Sequence, residues 1–142
     1  MENTSRSGAG MPGALLELPA EIRELVAAVA ATALEAGRAA EAEKVMEGLV
    51  AVHPRDAASW ALLARAHLRT GKELAARFAA EVGLQLSPGD PEVRLAYAEV
   101  RLGGGEGRAA AIEELRGLRS TPGAIGERAS ALVSALGAPG GA

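Results

Sequence analysis

His53 and His67 are the histidines of this sequence, and cysteine is absent. Thiol nucleophiles, disulfide frameworks and cysteine-ligated zinc are therefore excluded. No His-x-x-x-His step sets two imidazoles on one helix face, so no metal site is expected. His53 precedes a helix-ending proline and His67 fills a core position, so both read as structural. Glu41, Glu43 and Glu47, with Lys44 among them, form an acidic group in which Glu43 and Glu47 share a helix face at i, i+4. Paired carboxylates serve acid–base chemistry where apolar surroundings shift a pKa. Nothing apolar surrounds these acids, and they read as a solvated helix face. Glu113, Glu114 and Arg116 read the same way. Gly103-Gly104-Gly105-Glu106-Gly107-Arg108 is glycine-rich but lacks the Gly-Lys-Ser/Thr ending of a phosphate loop, and reads as a turn. No serine lies in a nucleophile-elbow pattern. No catalytic residue and no cofactor is expected, and the chain is not expected to be an enzyme.

If the side chains do no chemistry, the elements that carry them must serve binding. The net charge is −3 and no basic stripe appears, which argues against nucleic acid as a partner. The segment from Met1 to Gly13 has no basic stretch followed by an apolar run, so it does not read as a signal peptide. No run approaches the roughly 18 apolar residues of a membrane-spanning helix. A cytoplasmic location is expected, with no membrane insertion.

Hydrophobic residues make up 49% of the 142-residue chain and aromatic residues only 2%. Alanine, leucine and valine must therefore build the core. Alanine, leucine, arginine and glutamate favour helix, and the β-branched and aromatic residues of sheets are thin. The expected fold is all-α. Glycine and proline divide it into seven short helices near 19–36, 39–53, 57–70, 72–86, 91–102, 107–119 and 122–136, with Thr121-Pro122 as N-cap and first turn of the last. Short breaks imply antiparallel neighbours. Residues 1–13 and 137–142 are expected to be disordered tails around a folded domain at 14–136.

The breaks recur. Pro54, Pro88 and Pro122 are each 34 residues apart, as are Gly37, Gly71 and Gly105, and Ala42, Ala76 and Ala110. Proline is scarce, at 7 residues, so its recurrence weighs most. Val50, Leu84 and Leu118 keep the same register. Two helices of about 13 residues plus two turns fill such a period. A glycine reverses the chain, an alanine lets the paired helices approach, and a proline ends the second helix. One hairpin cannot bury its apolar face alone, so hairpins must stack.

These positions resemble the tetratricopeptide repeat family. Residues 57–90 carry its motif through Trp60, Leu63, Ala64, Gly71, Ala76, Leu84 and Pro88, with His67 in the aromatic slot. Residues 23–56 match through Val26, Val29, Ala30, Ala33, Gly37, Ala42, Met46 and Pro54. Residues 91–124 keep Gly105, Ala110, Leu118 and Pro122 but place Arg94 and Arg101 where core residues belong. A helix rotated or slipped by one residue there would bury Val93, Ala96, Tyr97 and Val100 instead. The resemblance implies three stacked hairpins in a right-handed solenoid. The stripe Ile125, Ala129, Leu132, Val133 and Leu136 marks a capping helix at 122–136.

The resemblance also implies a concave groove lined by the first helix of each hairpin. Its residues would be Ala27, Ala31 and Leu34, then Ala61, Arg65, Leu68 and Arg69, then Leu95, Glu99 and Leu102. This surface suits an apolar or amphipathic peptide. The family's clamp for acidic C-terminal tails needs Lys and Asn where this chain has Ala27 and Ala31, so that mode is not expected. Within the family the layout resembles the bacterial type III secretion chaperones of the translocator class, which hold apolar substrates in the cytoplasm. The features are three repeats, the lead-in Leu15-Leu16-Glu17-Leu18-Pro19 and the tail helix. The alternative is a repeat scaffold or assembly adaptor joining folded proteins. Trp60 is expected in the core. Phe78 falls outside the core register, leaving the convex surface or a homodimer contact as its two placements.

Overall fold

The structure, a computed structural model, describes residues 18–104 and 107–137. Among them lie seven helices and no strand: α1 Ala20–Glu35, α2 Ala39–Val52, α3 Ala57–Arg69, α4 Glu73–Leu86, α5 Pro91–Gly104, α6 Arg108–Leu118 and α7 Ala124–Gly137. The expected tail 1–13, the lead-in residues Leu15 to Glu17, the hairpin glycine Gly105 and residues 138–142 fall outside the described residues. Each helix packs on the next, and α1 on α3, α3 on α5 and α5 on α7 also touch. The first helices of the three hairpins and α7 thus form one layer, with α2, α4 and α6 behind it.

The first two hairpins reverse alike. Gly37 and Gly71 take φ of 86° and 83°. The next amide reaches back to close the helix, Arg38 N–H to the Ala33 carbonyl at 2.8 Å and Lys72 N–H to that of His67 at 2.9 Å. This six-to-one bond needs a left-handed residue before it, which glycine supplies without Cβ strain. Ala42 and Ala76 are fully buried just beyond these turns. The third hairpin differs. Among its described residues Gly107 is left-handed, Ala110 is exposed, and Ala111 and Leu115 are fully buried. The buried series Ala42, Ala76, Ala111 and Met46, Ala80, Leu115 show that α6 is advanced by one residue against the 34-residue register expected for Ala110.

Helix α5 buries the set expected of the rotated or slipped helix. Val93, Ala96 and Val100 are buried and Tyr97 is half-buried, all against the large core of the first two hairpins. Leu95 and Ala98 face a second core with Leu115, Leu118 and Ala129. Both faces of α5 are therefore buried, which explains why its apolar periodicity is hard to read. The two arginines at core positions turn to partners. Arg94 pairs with Glu114, and the Arg101 guanidinium lies 5.3 Å from the Tyr97 ring centroid.

Two further expectations change. Helix α7 begins at Ala124, and Thr121 to Gly123 form a bend ahead of it instead of a cap and first turn. A Cβ on Gly126 would stand 1.9 Å from the Thr121 carbonyl oxygen, so the bend folds over a bare backbone. Trp60 is half-buried rather than sealed in the core. Its Nε1 donates to the Pro54 carbonyl at 2.7 Å and its ring meets exposed Phe78 edge-on at 6.2 Å.

Candidate peptide-binding groove

The layer of α1, α3, α5 and α7 carries two clefts. One, of about 390 Å³, runs between the first halves of α1 and α3, from Ala27 and Ala31 to Ala58 and Leu62. The other, of about 450 Å³, reaches from Ala31 and Leu62 across Leu95 to Ile125 and Ala131 of α7. Both clefts are lined by Ala31, Leu62 and Glu92, so they are parts of one groove. Methyl-bearing side chains form much of its floor because the inner helices are alanine-rich where they face each other.

The ten residues expected to line a groove divide. Ala27, Ala31, Arg65 and Leu95 line the clefts. Leu34 and Ala61 are buried within the hairpin core. Leu68 packs against α5, where a Cβ on Gly103 would meet its Cδ1 at 2.9 Å. Leu102 packs on the second core. Arg69 and Glu99 join a charge ladder described next. Ala58, Leu62 and Glu92 line the clefts and were not singled out from the sequence. They lie three residues from Ala61, Arg65 and Leu95, so the helix face toward the groove was legible but its N-terminal stretch was not.

One buried acid holds the inner helices together. Glu99 of α5 is 4% exposed. Arg128 of α7 donates to it from Nε at 3.3 Å and Nη2 at 3.2 Å. Arg65 of α3 places Nε 3.4 Å away and reaches Glu35 at the end of α1 with Nη2 at 3.3 Å. Arg69 Nη2 is 3.9 Å from Glu99. The hydrogen bond to Glu99 holds the Arg128 guanidinium above its ordinary range, whereas burial and then the neighbouring Arg128 push that of Arg69 down. Arg65 and Glu99 are 34 residues apart. The repeat thus puts opposite charges at equivalent positions of adjacent hairpins.

A second polar network lies away from the groove and corrects the reading of Glu43 as a solvated acid. Glu43 is 5% exposed. It faces His67 Nδ1 at 2.5 Å and accepts from Thr70 Oγ1 at 3.0 Å and Lys72 Nζ at 3.1 Å. Burial alone would raise its pKa, but the hydrogen bonds from His67, Lys72 and Thr70 together hold it below the ordinary carboxylate value. Donor atoms of Glu43, Glu47 and His67 lie within 4.8 Å of one another, the geometry of a cation site. Glu43 already meets three donors, including the Lys72 ammonium, so a cation would have to displace them. The arrangement locks the first hairpin to the second. His53 is likewise structural, its Nε2 accepting the Leu18 N–H at 3.0 Å.

Among the described residues no helix is long and apolar enough to cross a membrane. Residues 57–100, which span α3 to α5, match the tetratricopeptide repeat family model. No curated protein sequence matches the chain. Solved structures do. The type III secretion translocator chaperone SycD of Yersinia enterocolitica is 22% identical with a TM-score of 0.61, covering 92% of this chain and 93% of its own. PcrH of Pseudomonas aeruginosa is 21% identical with a TM-score of 0.64, covering 86% and 96%. PcrH in complex with the chaperone binding region of PopD is 22% identical with a TM-score of 0.62, covering 85% and 95%. The chain thus matches the tetratricopeptide repeat model at residues 57–100 and has, over nearly its whole length, the fold of the translocator chaperone SycD and of PcrH.

Proposed function

We propose that this chain is a non-enzymatic, cytoplasmic holder of another protein, binding an apolar or amphipathic segment of that client along its concave groove as a secretion chaperone does. The observation that carries the reading is the continuous groove through Ala31 and Leu62, open between α1 and α7 and floored by small apolar side chains. A segment lying there buries apolar surface at about 25 cal/mol per Å² while its backbone stays extended or helical. PcrH, of the same fold, is solved with the chaperone binding region of PopD. That complex supports a protein partner for this chain too.

The test is co-purification from the native organism with Ala31→Glu, which puts a charge where the two clefts meet. The client is expected to be lost while the helical circular-dichroism spectrum is kept. Leu74→Glu, on a side chain 82% exposed on α4, should leave it bound. Retention of the client by Ala31→Glu would refute the groove reading. A second reading, an adaptor or homodimer contact on the outer face, is favoured by Leu74 and Phe78, both strongly exposed on successive turns of α4. It predicts the reverse pattern.

A further inference from the structure

Among the described residues the charges of the groove do not balance. Arg65 is committed to Glu35 and Glu99, Arg128 to Glu99, and Arg23 donates to the Leu18 carbonyl. Glu92 differs. It is half-buried on the first turn of α5 and lines both clefts. Its backbone N–H bonds to Asp90 Oδ1 at 2.9 Å, but among the described residues its carboxylate has neither an ion pair nor a hydrogen-bond donor. Asp56 lines the first cleft beside it, accepting the Ser59 hydroxyl at 2.6 Å. Burial and then Asp90 push the Glu92 carboxyl above its ordinary value, with the charge of Arg65 pulling it back and Asp56 adding to the rise. A carboxylate in this position loses water and feels Arg65 only at a distance, with no cation in direct contact, which is unfavourable in the free protein and is relieved when a ligand brings a cation to it.

Other acids of the groove add to the surplus. Glu24 and Glu127 line the first and second clefts respectively and have no ion pair among the described residues. Apolar floor lies on both sides of Glu92, Ala27, Ala58 and Leu62 on one and Leu95, Ile125 and Ala131 on the other. We propose that the groove selects segments in which a lysine or arginine is set between apolar anchors, with Glu92 receiving that basic side chain where the two clefts meet. The inference rests on the groove reading above and adds the chemistry of its occupant. Arginine and lysine both fit a carboxylate that is half-buried, since their stems cover apolar surface while the charged end reaches the acid.

The experiment selects phage-displayed random dodecapeptides on the full chain, with Ala31→Glu as the closed-groove control. Wild type is expected to enrich peptides carrying a basic residue between apolar ones, and those peptides should fail on Ala31→Glu. Replacing the basic residue by glutamine in a synthetic selected peptide should weaken binding about tenfold, the scale of one hydrogen bond to a charged group. Glu92→Gln should erase that difference, and Glu92→Lys should select acidic residues at the same place. Should Glu92→Lys fail to fold by circular dichroism, the Glu92→Gln comparison decides. Groove-dependent peptides without basic enrichment, or a glutamine penalty unchanged in Glu92→Gln, would overturn the charge selection and leave the groove reading intact. Selected peptides that bind Ala31→Glu equally well, or the absence of any, would remove both.

Discussion

Glu99→Gln keeps the shape of the side chain at the centre of the inner layer and removes its charge. In the wild type four hydrogen bonds or close ion contacts converge on this carboxylate from α3 and α7. Without the charge, Arg65 is left with a side chain 10% exposed and one carboxylate partner, Glu35, which is itself 63% exposed. An ion pair to so exposed a partner is worth at most about 1 kcal/mol. Removing one member of a buried pair costs about 3–5 kcal/mol. Arg128 and Arg69 keep 30% of their side chains in solvent and can turn outward, which holds the loss near the lower end. The expected loss is about 3 kcal/mol, large against the roughly 5–15 kcal/mol of a whole domain. Urea unfolding followed by circular dichroism measures it. Arg128→Met should cost less, about 1 kcal/mol, because Glu99 keeps Arg65 and Arg69. A double-mutant cycle should give a coupling above about 0.5 kcal/mol, as expected of residues in one network. If Glu99→Gln loses less than about 1 kcal/mol with an unchanged urea dependence, the ladder does not hold the inner layer and the reasoning fails.

Two further outcomes follow from single sites. The pKa of Glu43 is lowered in the folded state, so its stabilisation is complete above the ordinary carboxylate value of 4.5 and is lost as pH falls below it. Urea midpoints measured downward from pH 6 should therefore drop faster in wild type than in Glu43→Gln, which lacks that titration; parallel curves would contradict the assignment. Gly126→Ala puts a methyl against the Thr121 carbonyl oxygen, and the bend before α7 must shift. A loss of about 1–3 kcal/mol, the usual cost of overpacking, is expected in the same assay, and an unchanged stability would mean that the bend is not packed as described.

The hairpins were legible because backbone conformation leaves a residue signature. Gly37 and Gly71 stand where φ must be positive, and Pro54 and Pro88 stand where a helix has ended. The one-residue advance of α6 was not legible, since Ala109, Ala110 and Ala111 offer the same methyl group in three successive directions. The line of the groove suffered from the same low contrast. In α1, Ala27, Ala28, Ala30, Ala31 and Ala33 cover most of the helix circumference, and only packing decides that Ala30 is buried while Ala31 lines the clefts. Glu43 was misread for a different reason. Its burial depends on His67, Thr70 and Lys72, all from the next hairpin, and no neighbour in sequence announces them. Arg65 and Glu99 are both expected on the concave side from the sequence; Arg65 lines the second cleft and Glu99 is buried, and their pairing required knowing that equivalent positions of successive hairpins come into contact.

The claim on which the function rests is that a client lies along the inner layer and not on the outer face. A photo-crosslinking residue at Ala31 reports on the groove, and the same residue at Leu74 reports on the exposed side of α4. Irradiated in the native organism, the chain labelled at Ala31 is predicted to give one discrete adduct whose cross-linked peptide is apolar or amphipathic, with none from Leu74. Adducts from Leu74 with none from Ala31 would contradict the account.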